Sequence, residues 1–244
     1  MMSLNSPMTT PQRIAFCKII SPKPNAWVNL FRIGVGFVLL LVSSCSMGPP
    51  PEEKPLRVVH VEVLGDPALR QTNRDWTKTV EGLVQATSNY FEREFRIRFV
   101  VEKVSPWPLE QRSKSTRVLL AQLKEKFPLK DRNKKLDMII GFTGESVERY
   151  GSGRARVDRL GNCQEGLASY MVSAVTDPFR YQPQSLDIEW DVLAVIHEMG
   201  HVFGAEHNDD PTSIMHRDFA YRTEFDQRSR EVILKNRLCP FAKE

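Results

Sequence analysis

The stretch His197-Glu198-Met199-Gly200-His201-Val202-Phe203-Gly204-Ala205-Glu206-His207 gathers the residue types and spacings that could carry chemistry together. His197 and His201 are four residues apart, so on a helix they project from one face, one turn apart, and can bind one metal ion together. Glu198 follows the first of them and points beside the metal, placed to take a proton from water. Gly204 lets the chain leave the helix through a left-handed backbone conformation and turn back sharply, which brings His207 round as a third ligand. Three neutral imidazoles leave a zinc ion a fourth, open position, the arrangement of a catalytic rather than a closed structural site. H-E-x-x-H alone fixes three positions and arises by chance. With Gly204 and His207 five are fixed, and a match becomes rarer than roughly one in a million starting points. Three histidines and a glutamate on an otherwise apolar helix would also be costly to bury without a metal partner.

The element that must carry the first two histidines is a helix over 188–203, with Ile188, Val192, Val195, Ile196, Met199 and Val202 on its apolar side and Gly204 as its stop. Ahead of it, the Val-rich segment 56–64 reads as a strand closed by Gly65-Asp66-Pro67. Residues 73–95 carry Trp76, Val80, Leu83, Val84, Tyr90 and Phe91 at helical spacing, and 96–104 alternates charge with Ile97, Phe99 and Val101 as a second strand. A helix over 115–127 is stopped by Pro128, and 137–142 reads as a short buried strand. The Gly- and Arg-rich segment after it contains a short edge strand over 154–157. A further strand is expected within 167–175 and a last helix over 224–238, ending at Cys239-Pro240. This mixed order predicts an α+β (mixed α/β) sheet domain, and no internal repeat is present.

The chain has 244 residues, 41% hydrophobic and 26% charged, which suits one ordinary domain with a real core and excludes disordered, collagen-like and disulfide-dense classes. Its net charge of +4 comes from the first 44 residues, where Arg13, Lys18, Lys23 and Arg32 meet no acidic group. The remainder is balanced, so nucleic acid is not an expected partner. The apolar run 31–42, interrupted by Arg32, is about a dozen residues long where a spanning helix needs ~20, and has the size of a signal-peptide core. Val42-Ser43-Ser44-Cys45 resembles the lipobox of bacterial lipoproteins, which implies cleavage before Cys45 and diacylation of its thiol. Residues 1–44 are then a signal peptide, 45–55 the lipidated Cys and a Pro-rich spacer, and 56–244 the folded domain. That resemblance implies a cell-envelope protein lipid-anchored to a membrane, the outer one if the host has two because Ser46 is not Asp. The alternative is a soluble exported protein.

The histidine motif resembles the metzincin clan of zinc endopeptidases, whose signature H-E-x-x-H-x-x-G-x-x-H is followed by a Met-containing turn. Met215 lies eight residues after His207, with Asp210-Pro211 between them, a spacing similar to the matrixin branch. The resemblance implies an apolar floor formed by Met215 beneath the ligands, one catalytic zinc on His197, His201 and His207, and Glu198 as general base. It also implies a twisted, mostly parallel sheet with an antiparallel edge strand, an active-site helix, a Met-turn and a C-terminal helix. Peptide substrates of the clan lie antiparallel to that edge strand, which places substrate binding at Arg154, Ala155, Arg156 and Val157. Cys163 and Cys239 resemble the pair joined by a disulfide in the adamalysin-like branch, and an exported compartment permits the bond.

The departures narrow the reading. Asn208 follows His207 where matrixins usually have Ser and adamalysin-like enzymes Asp, so the branch stays open. Arg217 excludes the extra Tyr ligand of astacins and serralysins, and His216 is read as a pocket wall. Only His60 and His216 lie outside the motif, which argues against a second, structural zinc; calcium binding is not indicated by any pattern. The implied activity is zinc-dependent hydrolysis of peptide bonds in proteins or peptides in the cell envelope or outside the cell, by a monomer. The rival is a catalytically silent, lipid-anchored binding module that keeps its zinc for stability. Glu198 weighs against it, because a structural site gains nothing from a base beside an open position.

Overall fold

The computed structural model describes residues 56–109, 111–131, 135–147, 153–175, 186–218 and 222–243; the expected signal peptide, Cys45 and spacer lie outside them. The elements in chain order are β1 (Arg57–Gly65), α1 (Pro67–Thr72), α2 (Trp76–Phe95), β2 (Ile97–Pro106), α3 (Thr116–Lys126), a 3-10 turn (Leu129–Asp131), β3 (Met138–Thr143), β4 (Ala155–Val157), β5 (Tyr170–Ala174), α4 (Leu186–Val202) and α5 (Gln227–Asn236). The strands form one sheet in the order β2-β1-β3-β5-β4. Every neighbouring pair is parallel except β4 with β5, which is antiparallel. A mostly parallel sheet with an antiparallel edge strand and helices on its faces is the architecture that the sequence resemblance implies. Among the described residues no helix is long and apolar enough to cross a membrane.

Strand alternation sorts the side chains into two cores. Val59, Val61 and Val63 of β1, Met138, Ile140 and Phe142 of β3 and Met171 of β5 face one side with α2 and α4. Leu64, Ile139, Tyr170 and Val172 face the other, under α3 and Trp107. Because β3 lies mid-sheet with both faces covered, all six of its residues are buried, and its sequence reads as one apolar run. Helix α2 buries Val80, Leu83, Val84, Phe91 and Phe95 at the spacing of one helix face. Its Phe91 ring sits 6.1 Å from Phe203, at the end of α4, and 6.0 Å from Phe225. The helix that carries the site is thus backed by an aromatic cluster.

The long helix expected over 73–95 is preceded by a separate helix, α1. Pro67 occupies its first turn, where a missing N–H costs nothing, and the Asp66 carboxylate accepts the Leu69 N–H at 2.7 Å as its cap. The same carboxylate accepts the Thr143 hydroxyl and, at 3.1 Å, the Gly144 N–H, so Asp66 ties α1 to the end of β3. Asp-Pro after a strand signals a helix start here as well as a strand stop.

A disulfide joins Cys163, in the loop after β4, to Cys239, just past α5, with Cα atoms 5.0 Å apart. The flanking chain is hydrogen-bonded across the same junction, Leu167 N–H to the Pro240 carbonyl at 2.8 Å and Ala242 N–H to the Leu167 carbonyl at 3.0 Å. Closing a loop of this length stabilises by about 2 to 4 kcal/mol, chiefly by restricting the unfolded chain. The paired substitution Cys163→Ser, Cys239→Ser should therefore lower the melting temperature by roughly 5 to 15 °C in calorimetry of the oxidised protein. An unchanged melting temperature would show that the backbone bonds hold the junction without the bridge.

Candidate metal centre and active site

Helix α4 turns Val195, Ile196, Met199 and Val202 into the core. That leaves His197, Glu198 and His201 on the face away from the α2 packing. The helix ends in a reversal of the Schellman type: the Ala205 N–H bonds back to the Gly200 carbonyl at 2.9 Å and the Gly204 N–H to the His201 carbonyl at 3.0 Å. Gly204 has φ +92°, and a Cβ there would meet the Gly161 carbonyl oxygen and Asn236 Nδ2, so only glycine fits. The reversed chain brings His207 back over the helix. His207 Nε2 lies 3.1 Å from His197 Nε2 and 3.2 Å from His201 Nε2.

The other ring nitrogens fix the tautomers. His197 Nδ1 bonds to the Ile214 carbonyl at 2.7 Å and His201 Nδ1 to the Ala205 carbonyl at 2.6 Å. A carbonyl only accepts, so both Nδ1 atoms carry the proton and both Nε2 atoms present lone pairs. Burial, helped by the neighbouring imidazoles, pushes His197 down to about 3, and burial pushes His201 down to about 4 despite the Ala205 carbonyl. His207 is lowered too, by burial and then by the charge of Arg217. The lone pairs of His197 and His201 both face His207 Nε2, so the three rings converge on a position suited to a cation. A tetrahedral zinc with bonds of about 2.0 to 2.1 Å to nitrogen needs ligand atoms about 3.3 Å apart. The three histidines, whose candidate ligand atoms all lie within 4.8 Å of one another, fit that ion.

Met215 is fully buried directly beneath. A Cβ on Gly200, between the two helical histidines, would come within 2.7 Å of Met215 Sδ and 2.8 Å of the Phe225 ring, so Gly200 lets the turn pack against the helix backbone. The Met-turn is pinned to the chain after His207 by the Asn208 N–H to the Met215 carbonyl at 2.9 Å. Glu198 points toward β4. Burial pushes its carboxyl up to about 7, opposed by the charge of Arg156 and by a hydrogen bond from the Val157 N–H.

At the edge strand, Arg154 accepts the Ala174 N–H through its carbonyl at 2.9 Å and Asp158 donates its N–H to the Tyr170 carbonyl at 3.0 Å. With Arg156 opposite Val172, residues 154, 156 and 158 direct their backbone groups to β5. Ala155 and Val157 direct theirs outward, and the Val157 N–H is taken by Glu198. The four residues expected to line the substrate thus differ in role. Ala155 turns its N–H and C=O away from β5, to the side of β4 that no strand pairs among the described residues, whereas the Arg154 side chain is drawn inward onto Asp191 of α4.

Residues 56–240 match the family model described as metallo-peptidase family M12. The chain belongs to that family. Among solved structures it is similar to archaemetzincin from Methanopyrus kandleri, at 20% identity and a TM-score of 0.50, over 73% of this chain and 94% of that one, a likeness of fold. No curated protein matches it. This M12 chain is a metzincin-type zinc metallopeptidase, and its substrate is a peptide or protein. Sequence reasoning missed the carbonyls of Ile214 and Ala205 that orient the imidazoles, because backbone acceptors leave no mark on side-chain type. Gly204→Ala should weaken zinc binding and lower the melting temperature, since a left-handed φ costs a residue with a Cβ about 1 to 3 kcal/mol before the clash with Gly161 is added. Wild-type zinc affinity in that variant, measured against a chromophoric chelator, would show that His207 reaches the site without the glycine turn.

Proposed function

We propose that the chain is a lipid-anchored zinc endopeptidase of the cell envelope, with His197, His201 and His207 holding one zinc ion and Glu198 acting as general base and acid. The observation that carries this reading is the convergence of three imidazole Nε2 atoms, those of His197 and His201 with their protons held on Nδ1, next to Glu198, whose carboxyl burial pushes up to about 7. Bound zinc supplies Lewis acidity, which polarises a carbonyl and makes water easier to deprotonate. The substrate strand lies along the open edge of β4, with the outward N–H and C=O of Ala155 pairing with its backbone. Glu198 takes a proton from the attacking water and delivers it to the departing amine, and a basicity near neutral pH serves both halves of that transfer. The Val157 N–H holds the carboxylate in place, and Arg156 keeps it ionised more readily than burial alone would allow. Met215 closes the floor.

The envelope assignment is supported by the signal-like core at 31–42 and the lipobox-like Val42-Ser43-Ser44-Cys45. On this reading residues 1–44 are removed, Cys45 carries the acyl chains, residues 45–55 form a spacer and 56–244 a monomeric catalytic domain. Stable anchoring then comes from several acyl chains, each buried CH2 contributing about 0.8 kcal/mol.

Glu198→Ala should keep its zinc and lose at least about 100-fold in kcat/KM on a cleaved peptide, the scale of a missing general base. Near-normal turnover by a zinc-loaded variant would remove Glu198 from the mechanism. Expressed in a bacterial host, the protein should partition with the membrane fraction, and Cys45→Ser should abolish labelling by a fatty-acid analogue. Continued labelling of the Ser variant would place the anchor elsewhere.

A further inference from the structure

Asn208, the residue after His207 and the point where the chain departs from the usual Ser or Asp, does not end in solvent. Its Nδ2 donates to Asp226 Oδ2 at 2.6 Å. The same oxygen accepts the hydroxyls of Ser213 at 2.7 Å and Ser229 at 2.6 Å, while Asp226 Oδ1 accepts the Ser229 N–H at 2.9 Å. Ser213 Oγ in turn accepts the Met215 N–H at 3.0 Å, and Ile214 between them gives its carbonyl to His197. One carboxylate therefore gathers the residue beside His207, the Met-turn and the N-terminus of α5.

We infer that Asp226 is a positioning residue of the metal centre, acting through Asn208 on His207 and through Ser213 on the Ile214 carbonyl that orients His197. The identity of Asn208 follows from it. A carboxylate at 226 calls for a donor opposite, which the amide supplies, whereas Asp at 208 would set two like charges at hydrogen-bond distance. Neighbouring groups agree with that need. Burial raises the Asp226 carboxyl, but its donors from Ser213, Ser229 and Asn208 outweigh this and hold it below the usual range, so it is ionised at neutral pH. No amide at 226 can replace it. If its oxygen faces the three side-chain donors, its NH2 opposes the Ser229 N–H. If it is turned over, the NH2 meets the three donors.

The carboxylate also caps α5, so positioning must be separated from plain stability, and the inference rests on the three-histidine centre proposed above. The test uses the full-length chain, with zinc affinity measured by competition against a chromophoric chelator, the absorption bands of Co2+ in the same site, and thermal unfolding alongside. Asp226→Ala should bind zinc about 10- to 100-fold more weakly, the range found when a group supporting a metal ligand is lost, and should shift the cobalt bands. Asn208→Ala should do the same to a lesser degree, and the double variant should lose less than the two effects multiplied, because both act along one path. Ser229→Ala, which removes one hydroxyl from Asp226 Oδ2 but leaves its bonds to Asn208 and Ser213, should lower the melting temperature and weaken zinc far less than Asp226→Ala does. A folded Asp226→Ala with wild-type zinc affinity overturns the inference, as does Ser229→Ala weakening zinc to the same extent. If Asp226→Ala does not fold, wild-type affinity in Asn208→Ala overturns it instead. Failure of the wild-type chain to bind zinc overturns the centre itself.

Discussion

Three imidazole Nε2 atoms converge on one point, that of His207 lying 3.1 Å from His197 and 3.2 Å from His201, and much of this domain serves to hold them there. A cation among them draws the lone pairs of all three onto itself, so ion and ligand geometry define each other. Neutrality is the first requirement. It is met by burial, which disfavours the protonated rings, and by carbonyls of Ile214 and Ala205 that fix which nitrogen keeps its proton. Direction is the second requirement, and it is met by backbone rather than by side chains.

The backbone that sets direction is itself clamped from several sides. The Gly161 N–H bonds to the His201 carbonyl at 3.0 Å, and Asn236 Nδ2 bonds to the Phe203 carbonyl at 3.0 Å, so two separate segments bind the end of α4. Those segments are the loop that holds Cys163 and the helix that precedes Cys239, the two sides of the disulfide. Behind them Phe203 is packed into the aromatic cluster of α2. The loop leading into α5 is tied to the same helix by the Tyr90 hydroxyl, which donates to the Thr223 carbonyl at 3.0 Å. A displacement of α4 by even one ångström would have to break contacts with the sheet, the disulfide loop and α5 at once, which is how a site on a helix terminus is kept rigid.

What was legible in the sequence follows from what sequence patterns encode. Periodicity reports which face of an element is buried, so α4 and the strands β1, β2, β3 and β5 were readable from their apolar residues. Spacing reports which side chains share a face, so the histidines and Gly204 were readable as a unit. The parallel order of the strands and the pairing of Cys163 with Cys239 came through resemblance to a clan, because partner choice between distant segments leaves no local trace. Helix α1 was missed because Asp66 and Pro67 serve a strand end and a helix start alike. Asp226 was missed for a related reason: its bond to Asn208 spans 18 residues, and neither residue type says which donor meets which acceptor.

Strand β4 links the two functions that the site must combine. It is only three residues long, yet its pairing with β5 fixes which amide groups face the open edge. One of these, the Val157 N–H, holds Glu198, while those of Ala155, two residues earlier, face outward. The spacing is a consequence of strand geometry, since groups two residues apart point the same way. On the proposed mechanism, base and substrate edge are therefore aligned by one short element rather than by separate loops, and the distance between them cannot drift independently. Arg156 sits between the two with its backbone turned to β5, so its charge reaches Glu198 without its amide competing for the edge. Burial and charge then act on the carboxyl in opposite directions, leaving it near neutral where either alone would drive it to one side. The proton carrier proposed here must accept and release within one turnover and needs that balance, and the strand proposed to receive the substrate is also what sets it.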